Sequence, residues 1–202
     1  MRIVTCFHYG LLLLALTISG CTSTRIDSLG KIATKMTRPA ETPAEQTRQK
    51  VERFLAEGSL IKAQAEILAA RGKEVAEISL ADLHTEVENR LLQKAEQAGL
   101  TSQFDKAGRF YSLALDIYPV NTEIQSTLVR SRDEISTRIE QCADELMKSG
   151  LMAYRAGELV DAVDIWKKID SFYPNHSASE TAITTAEQQL KNLEKFTPDK
   201  PL

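Results

Sequence analysis

The sequence predicts an all-α domain, and three observations predict it. Glycine and proline number only 9 and 6 in 202 residues and aromatics make up 6%, a balance that suits helices better than a β-sandwich or barrel. From Val51 onward, apolar residues recur at intervals of three and four. Two stretches 55 residues apart, LLQKAEQAGLTSQFDKAGRFYSLALDIYPV and LMKSGLMAYRAGELVDAVDIWKKIDSFYPN, repeat one pattern that reads as a helical hairpin.

The chain opens with Arg2 as a short positive flank and a compact apolar run from Leu11 to Ile18. A bilayer span needs roughly 20 apolar residues, so residues 1–20 read as a cleaved signal peptide. The small residues of Ile18-Ser19-Gly20-Cys21 lead into a cysteine, and the motif resembles the lipobox of bacterial lipoprotein precursors. That resemblance implies cleavage before Cys21 and acylation, palmitate included, of its thiol and new amine. Thr22 rather than Asp follows, which within the resemblance implies the outer membrane, with the domain facing the periplasm. A signal anchor or plain secretory signal is the alternative.

Cysteine usage agrees with the lipobox. Cys6 leaves with the signal, Cys21 becomes a thioether and Cys142 stands alone, so no intramolecular disulfide is expected. Residues 21–43 carry Thr, Ser, two prolines and scattered charge with almost no apolar period, and read as a lipidated N-terminus and flexible tether. Lys31, Lys35 and Arg38 are more simply solvated linker charge than a headgroup site.

The helical domain is expected over residues 44–196. Thr42-Pro43-Ala44-Glu45 has a capping residue, a first-turn proline and an acid three residues on, the signs of a helix start. Val51, Phe54, Leu55, Gly58, Ile61, Ala65 and Leu68 continue the helical period, and Gly72 is a stop. Ser79 and Asp82 begin a second helix, with Leu83, Val87, Leu91, Ala95 and Ala98 as its stripe and Gly99 as its end.

In the first repeated unit, Phe104, Ala107, Tyr111, Ala114 and Tyr118 share a face, and Pro119 stops the helix. In the second, Leu146, Gly150 and Ala153 face inward and Gly157 makes the turn. Leu159, Ala162, Val163, Trp166 and Ile169 line the returning helix before Pro174. Small residues let the two backbones approach, and an aromatic fills the space beside them.

Ala95 with Gly150, Ala107 with Ala162, Tyr111 with Trp166 and Pro119 with Pro174 resemble the positions of the tetratricopeptide repeat (TPR). The units span about residues 88–121 and 143–176. The tyrosine usual late in the first helix of that family is Ala98 or Ala153 here, with Tyr154 one place along.

Between the units, Asn121 caps a helix starting at Thr122, and Ile124, Leu128, Ile135, Ile139, Cys142 and Leu146 keep a near-heptad stripe with no Gly or Pro before Gly150. One long connecting helix to about Ala156 is the simplest reading, spanning roughly 50 Å at 1.5 Å per residue. A break near Ser136-Thr137 is the alternative. Ser177 and Glu180 form a capping box for a C-terminal capping helix with Ala182, Ala186, Leu190 and Leu193, ending near Phe196; residues 197–202 should fray.

Chemistry is sparse. The net charge is -3 with no Lys/Arg block, which argues against nucleic acid. His84 and Glu88 have chelating i,i+4 spacing, but too few further ligands lie near for zinc, so a surface histidine is expected. Cys142 lies on an apolar stripe without a neighbouring His and reads as a buried, inert thiol. No phosphate loop or nucleophile elbow appears. The expectation is a non-enzyme with no cofactor, no metal and no small-molecule substrate.

The TPR resemblance implies a partner-binding face on the first helices: Met147, Leu151, Tyr154 and Arg155 in the second unit, and Asn89, Leu92, Glu96 and Leu100 in the first. Leu92 and Glu96 stand where that family's carboxylate clamp needs other side chains, so an apolar or aromatic ligand surface is expected. Packing of Leu92, Met147 and Leu151 against neighbouring helices is the competing reading. The expected function is a membrane-anchored adaptor or assembly factor for envelope proteins. A structural spacer that self-associates and a regulatory subunit of a cell-wall enzyme are the alternatives.

Overall fold

A computed structural model of the chain describes residues 41–73 and 75–196. The expected signal peptide, Cys21, most of the tether and the terminal residues 197–202 lie outside the described residues. Every regular element among the described residues is helical: α1 (Pro43–Ala56), α2 (Leu60–Gly72), α3 (Ala81–Leu100), α4 (Phe104–Asp116), α5 (Thr122–Gln125), α6 (Arg132–Arg155), α7 (Leu159–Lys167) and α8 (Ser177–Phe196). Short 3-10 turns cover Glu77–Leu80 and Ile169–Ser171. None of these helices is long and apolar enough to cross a membrane.

Helices pack in chain order: α1 on α2, α3 on α4, α4 on α6, α6 on α7 and α7 on α8. The turns joining α1 to α2, α3 to α4 and α6 to α7 share one geometry. Gly58, Ser102 and Gly157 have φ of +70°, +56° and +82°. The next residue's N–H in each turn, from Ser59, Gln103 and Glu158, donates back to Phe54, Ala98 and Ala153 at 2.8, 2.9 and 2.9 Å. This is a Schellman ending that satisfies the last carbonyls of the incoming helix. Five residues after the left-handed position stands a fully buried alanine each time: Ala63, Ala107 and Ala162.

The described residues therefore hold three related helix pairs, not two. The periodicity was expected to run as one helix from Pro43 to Gly72, and that expectation is corrected. Gly58 takes a left-handed conformation that ends α1, and the apolar phase restarts on Ala63, Ile67 and Ala70 while Ile61 and Ala65 turn to solvent. In the core, Val51, Ala95 and Gly150 are equivalent, as are Ile67, Tyr111 and Trp166, at intervals of 44 and then 55 residues. The second interval is longer because α5 and its flanking turns are inserted before α6.

The expected long helix from Thr122 to Ala156 is also corrected. It breaks between α5 and α6, ahead of Ser136. The hydroxyls of Ser126 and Thr127 donate to the Glu123 and Ile124 carbonyls at 2.6 and 2.7 Å, competing with helix continuation. Ser131 then restarts the chain with a capping box. Its side chain accepts from the Glu134 N–H at 3.2 Å, and the Glu134 carboxylate accepts from the Ser131 N–H at 2.7 Å. The resulting α6 has 24 residues and is about 36 Å long.

At α8 the cap is His176 and not Ser177. The His176 Nδ1 accepts from the Ser179 N–H at 3.2 Å, and its carbonyl begins the helical ladder. At α1, Thr42 caps as expected, accepting from the Glu45 N–H at 3.2 Å. Arg48 on α1 grips Asp82 on α3 with two bonds of 2.7 and 2.8 Å and so ties the first two helix pairs together.

Candidate functional sites

Three concave places carry the side chains that could recognise something. The first lies along α6, where Asp144, Met147, Lys148, Leu151 and Tyr154 follow helical spacing on one face. Gly150 admits Trp166 of α7 against the α6 backbone, and the indole N–H donates to the Met147 carbonyl at 3.2 Å. Tyr154 stands beside that indole, ring centroids 6.0 Å apart and planes tilted by 40°. Ala182 and Thr185 of α8 close the far wall. Together they form an open, largely apolar groove of about 530 Å³.

This groove gathers Met147, Leu151 and Tyr154 from the expected binding face; Arg155 is exposed on the last turn of α6 but does not line it. Leu92 is a correction. It is 4% exposed and packs into the core, because the 126–131 segment returns along that side of α3. The Thr85–Thr127 hydroxyl contact at 3.2 Å and the Glu96–Arg130 ion pair fix that segment there. Half-buried Asn89 lies on the same side, while Leu100 projects into solvent.

A second groove, of about 590 Å³, lies between α3, α4 and α6. Leu100, Phe104, Tyr111 and Cys142 supply its apolar surface, and Glu96, Arg130, Arg138 and Glu145 its charge. Cys142 is a free, buried thiol, and burial pushes it up to about 11, so it stays protonated at neutral pH.

The third place overturns the expectation of a surface histidine. His84 is 1% exposed and Glu88 is fully buried, and neither side chain makes a hydrogen bond. Burial lowers the His84 pKa, against the opposing pull of the Glu77 carboxylate and the Ile117 carbonyl, and keeps the imidazole neutral. Burial alone pushes Glu88 up to about 8, so it too is uncharged at pH 7. A buried polar group left unpaired costs about 1–3 kcal/mol. The sequence signal was the stripe itself: positions 84 and 88 lie in phase with Leu91 and Ala95.

Around His84 the ends of α4 and α5 are clamped. Arg71 donates to the carbonyls of Asp116, Ile117 and Tyr118 at 3.3, 3.0 and 3.2 Å and pairs with Glu77 at 3.1 Å. Glu77 accepts from the N–H groups of Val120 and Asn121 at 3.0 and 2.8 Å. Burial works against ionisation of Glu77, but these two N–H donors, with His84 and Arg71 nearby, leave its pKa below the usual carboxylate range. Between them lies a recess of about 160 Å³, lined by Ile67, Ala70, Arg71, Val75, Glu77, Leu80, His84 and Val120. Sequence reasoning missed Arg71 and Glu77 because their partners are backbone groups more than forty residues away.

Among the described residues, no group of three or more His, Cys, Asp or Glu side chains converges as a metal site requires. Compared with protein-family models, curated proteins and solved structures, the chain matches none of them.

Proposed function

We propose that the protein is a lipid-anchored, non-enzymatic adaptor of the bacterial envelope, acylated at Cys21 and held at the outer membrane with a TPR-like helical domain in the periplasm. The observation that carries the adaptor reading is the groove beside α6. There Met147, Leu151 and Tyr154 stand in one apolar trough over the Trp166 ring, and Leu151 is 40% exposed. A surface that existed only to pack would have no reason to leave these side chains open together.

The TPR-like reading draws further support from the three helix pairs with one turn geometry and one set of small and large core positions. Two or more acyl chains anchor a protein stably where one does not. Such an anchor raises the effective concentration of the domain near membrane-bound partners, so the groove needs only modest intrinsic affinity. The spacer alternative relied on reach, and an α6 that starts at Arg132 gives less of it than the uninterrupted helix would.

The test is in-cell crosslinking and capture with the acylated protein, comparing wild type with Leu151→Ala/Tyr154→Ala. Loss of a specific envelope partner with unchanged circular dichroism supports the reading. Undiminished capture removes the groove from it.

A further inference from the structure

We propose that the groove between α3, α4 and α6 is a binding site for a small amphipathic carboxylic acid, one carboxylate on an apolar body, with the Tyr111 hydroxyl and the Arg138 guanidinium as its polar partners. The groove volume of about 590 Å³ lies within the range of small-molecule sites, roughly 300–1,000 Å³. Leu100 is 87% exposed at its edge, and half-buried Phe104 with buried Ala107 continues the apolar wall along α4. An apolar body laid there takes Leu100 out of water.

Tyr111 is the residue that asks for a ligand. It is only 5% exposed, with its ring in the core, and its hydroxyl makes no hydrogen bond among the described residues. Yet that hydroxyl is not one of the unpaired side-chain atoms sealed from solvent. The charged groups that act on it, Glu96, Arg138 and Arg130, and the Cys142 thiol all line the groove, so the hydroxyl opens onto the groove floor. Burial, and then the Glu96 carboxylate, raise its pKa, so at neutral pH it keeps a proton to donate.

Four charged side chains line the groove, and three of them are already answered. The Arg130 guanidinium grips Glu96, and Lys148 pairs with Glu145 at 2.6 Å. Arg138 is the fourth. Its Nη1 donates to the Gln141 Oε1 at 3.0 Å, and no carboxylate among the described residues forms an ion pair with it. Glu134, one turn earlier, is taken up by the N–H and hydroxyl of Ser131. The groove therefore offers one uncompensated cation and one O–H donor beside an apolar wall. An amine would meet Arg138 with both lining carboxylates engaged, and an alcohol would leave Arg138 unanswered. A carboxylate accepts from both groups. This proposal is independent of the adaptor reading and of the groove beside α6.

The experiment follows the ring resonances of the full chain, labelled at its five tyrosines, Tyr9, Tyr111, Tyr118, Tyr154 and Tyr173, during titration with 3-phenylpropanoate, 3-phenylpropanol and 3-phenylpropylamine. The acid should produce a saturable shift at Tyr111 and leave Tyr154, in the groove beside α6, unmoved. It should bind roughly ten-fold more tightly than the alcohol, and the amine should bind most weakly. Arg138→Gln, at an exposed position, should bring the affinity for the acid down to that for the alcohol with unchanged circular dichroism. Tyr111→Phe keeps the ring in the core, and calorimetry should show it binding the acid several-fold more weakly. Propanoate, which lacks the apolar ring, should produce no saturable shift. No saturable shift at Tyr111 with the phenyl acid, equal affinity for acid and alcohol, undiminished acid binding by Arg138→Gln, or propanoate binding as tightly as the phenyl acid would overturn the proposal.

Discussion

Trp166 packs directly on Gly150: a Cβ at position 150 would fall 2.6 Å from the indole Cδ1, well inside van der Waals contact. This single approach sets the distance between α6 and α7 and seats the indole N–H on the Met147 carbonyl. Gly150→Ala should therefore destabilise the domain. Overpacking costs about 1–3 kcal/mol, which outweighs the helix-propensity gain of roughly 1 kcal/mol. Gly99→Ala is the control, because a Cβ there meets nothing within 4 Å, and it should stabilise. Thermal unfolding followed by circular dichroism should give opposite signs for the two, and a higher Tm for Gly150→Ala would contradict the packing described.

Ser102 holds the left-handed position that glycine holds in the other two turns. An L-residue pays roughly 1–2 kcal/mol in that region, and replacing it with glycine relieves most of the strain while adding freedom to the unfolded chain. Ser102→Gly should raise stability by about 0.5–1 kcal/mol. Gly58→Ala should lower it. A denaturant series on both variants checks the equivalence of the three turns.

Glu88 makes stability depend on pH with a definite sign. Below about 4.5 the carboxyl is protonated in folded and unfolded chains alike, and no penalty exists. As pH rises, the unfolded chain ionises while the folded one holds its proton up to about 8, so stability is lost progressively across that window and then levels. The whole loss is at most about 5 kcal/mol. His84 acts in the opposite sense: its lowered pKa leaves stability intact above about 6.5 and removes it as pH falls. Glu88→Gln should stabilise the domain increasingly between pH 5 and 8 relative to wild type. A constant difference between the two proteins across that range would mean that the carboxyl is not buried as described.

The lipid anchor rests on Ile18-Ser19-Gly20-Cys21. Cys21→Ala should end labelling with radioactive palmitate and release the domain from the membrane fraction. Continued labelling of the variant would place the acyl chain elsewhere.

The helices of the repeated units were legible because their periodicity is strong and their turns carry glycine or proline. Ala107, Tyr111, Ala162 and Trp166 could be assigned to the core from spacing alone. The first pair escaped because Ile67 stands where the other units have an aromatic and no proline follows. Gly58 inside a helical period reads as a tolerated glycine until its φ of +70° is known. The break before α6 had a local signature in Ser131 and Glu134, masked by an apolar stripe that runs in phase across it. In the candidate groove, Met147, Leu151 and Tyr154 are what the resemblance to the tetratricopeptide repeat implies, whereas the α8 wall of Ala182 and Thr185 has no signal in the sequence.

By itself, the sequence determined the all-helical class, the caps at Thr42 and Asn121, the turn at Gly157, and the small-to-large complementarity that pairs α3 with α4 and α6 with α7. These are properties of neighbours within a few turns, where periodicity and backbone preference act directly. Tertiary structure alone decided which side of α3 is covered. The inserted 126–131 segment, held on Thr85 and Glu96, covers the flank of α3 beside Leu92, and the adjoining stripe that carries His84 and Glu88 is buried with it. Which face of an amphipathic helix meets solvent depends on every surface packed against it, and those surfaces come from residues far away in the chain.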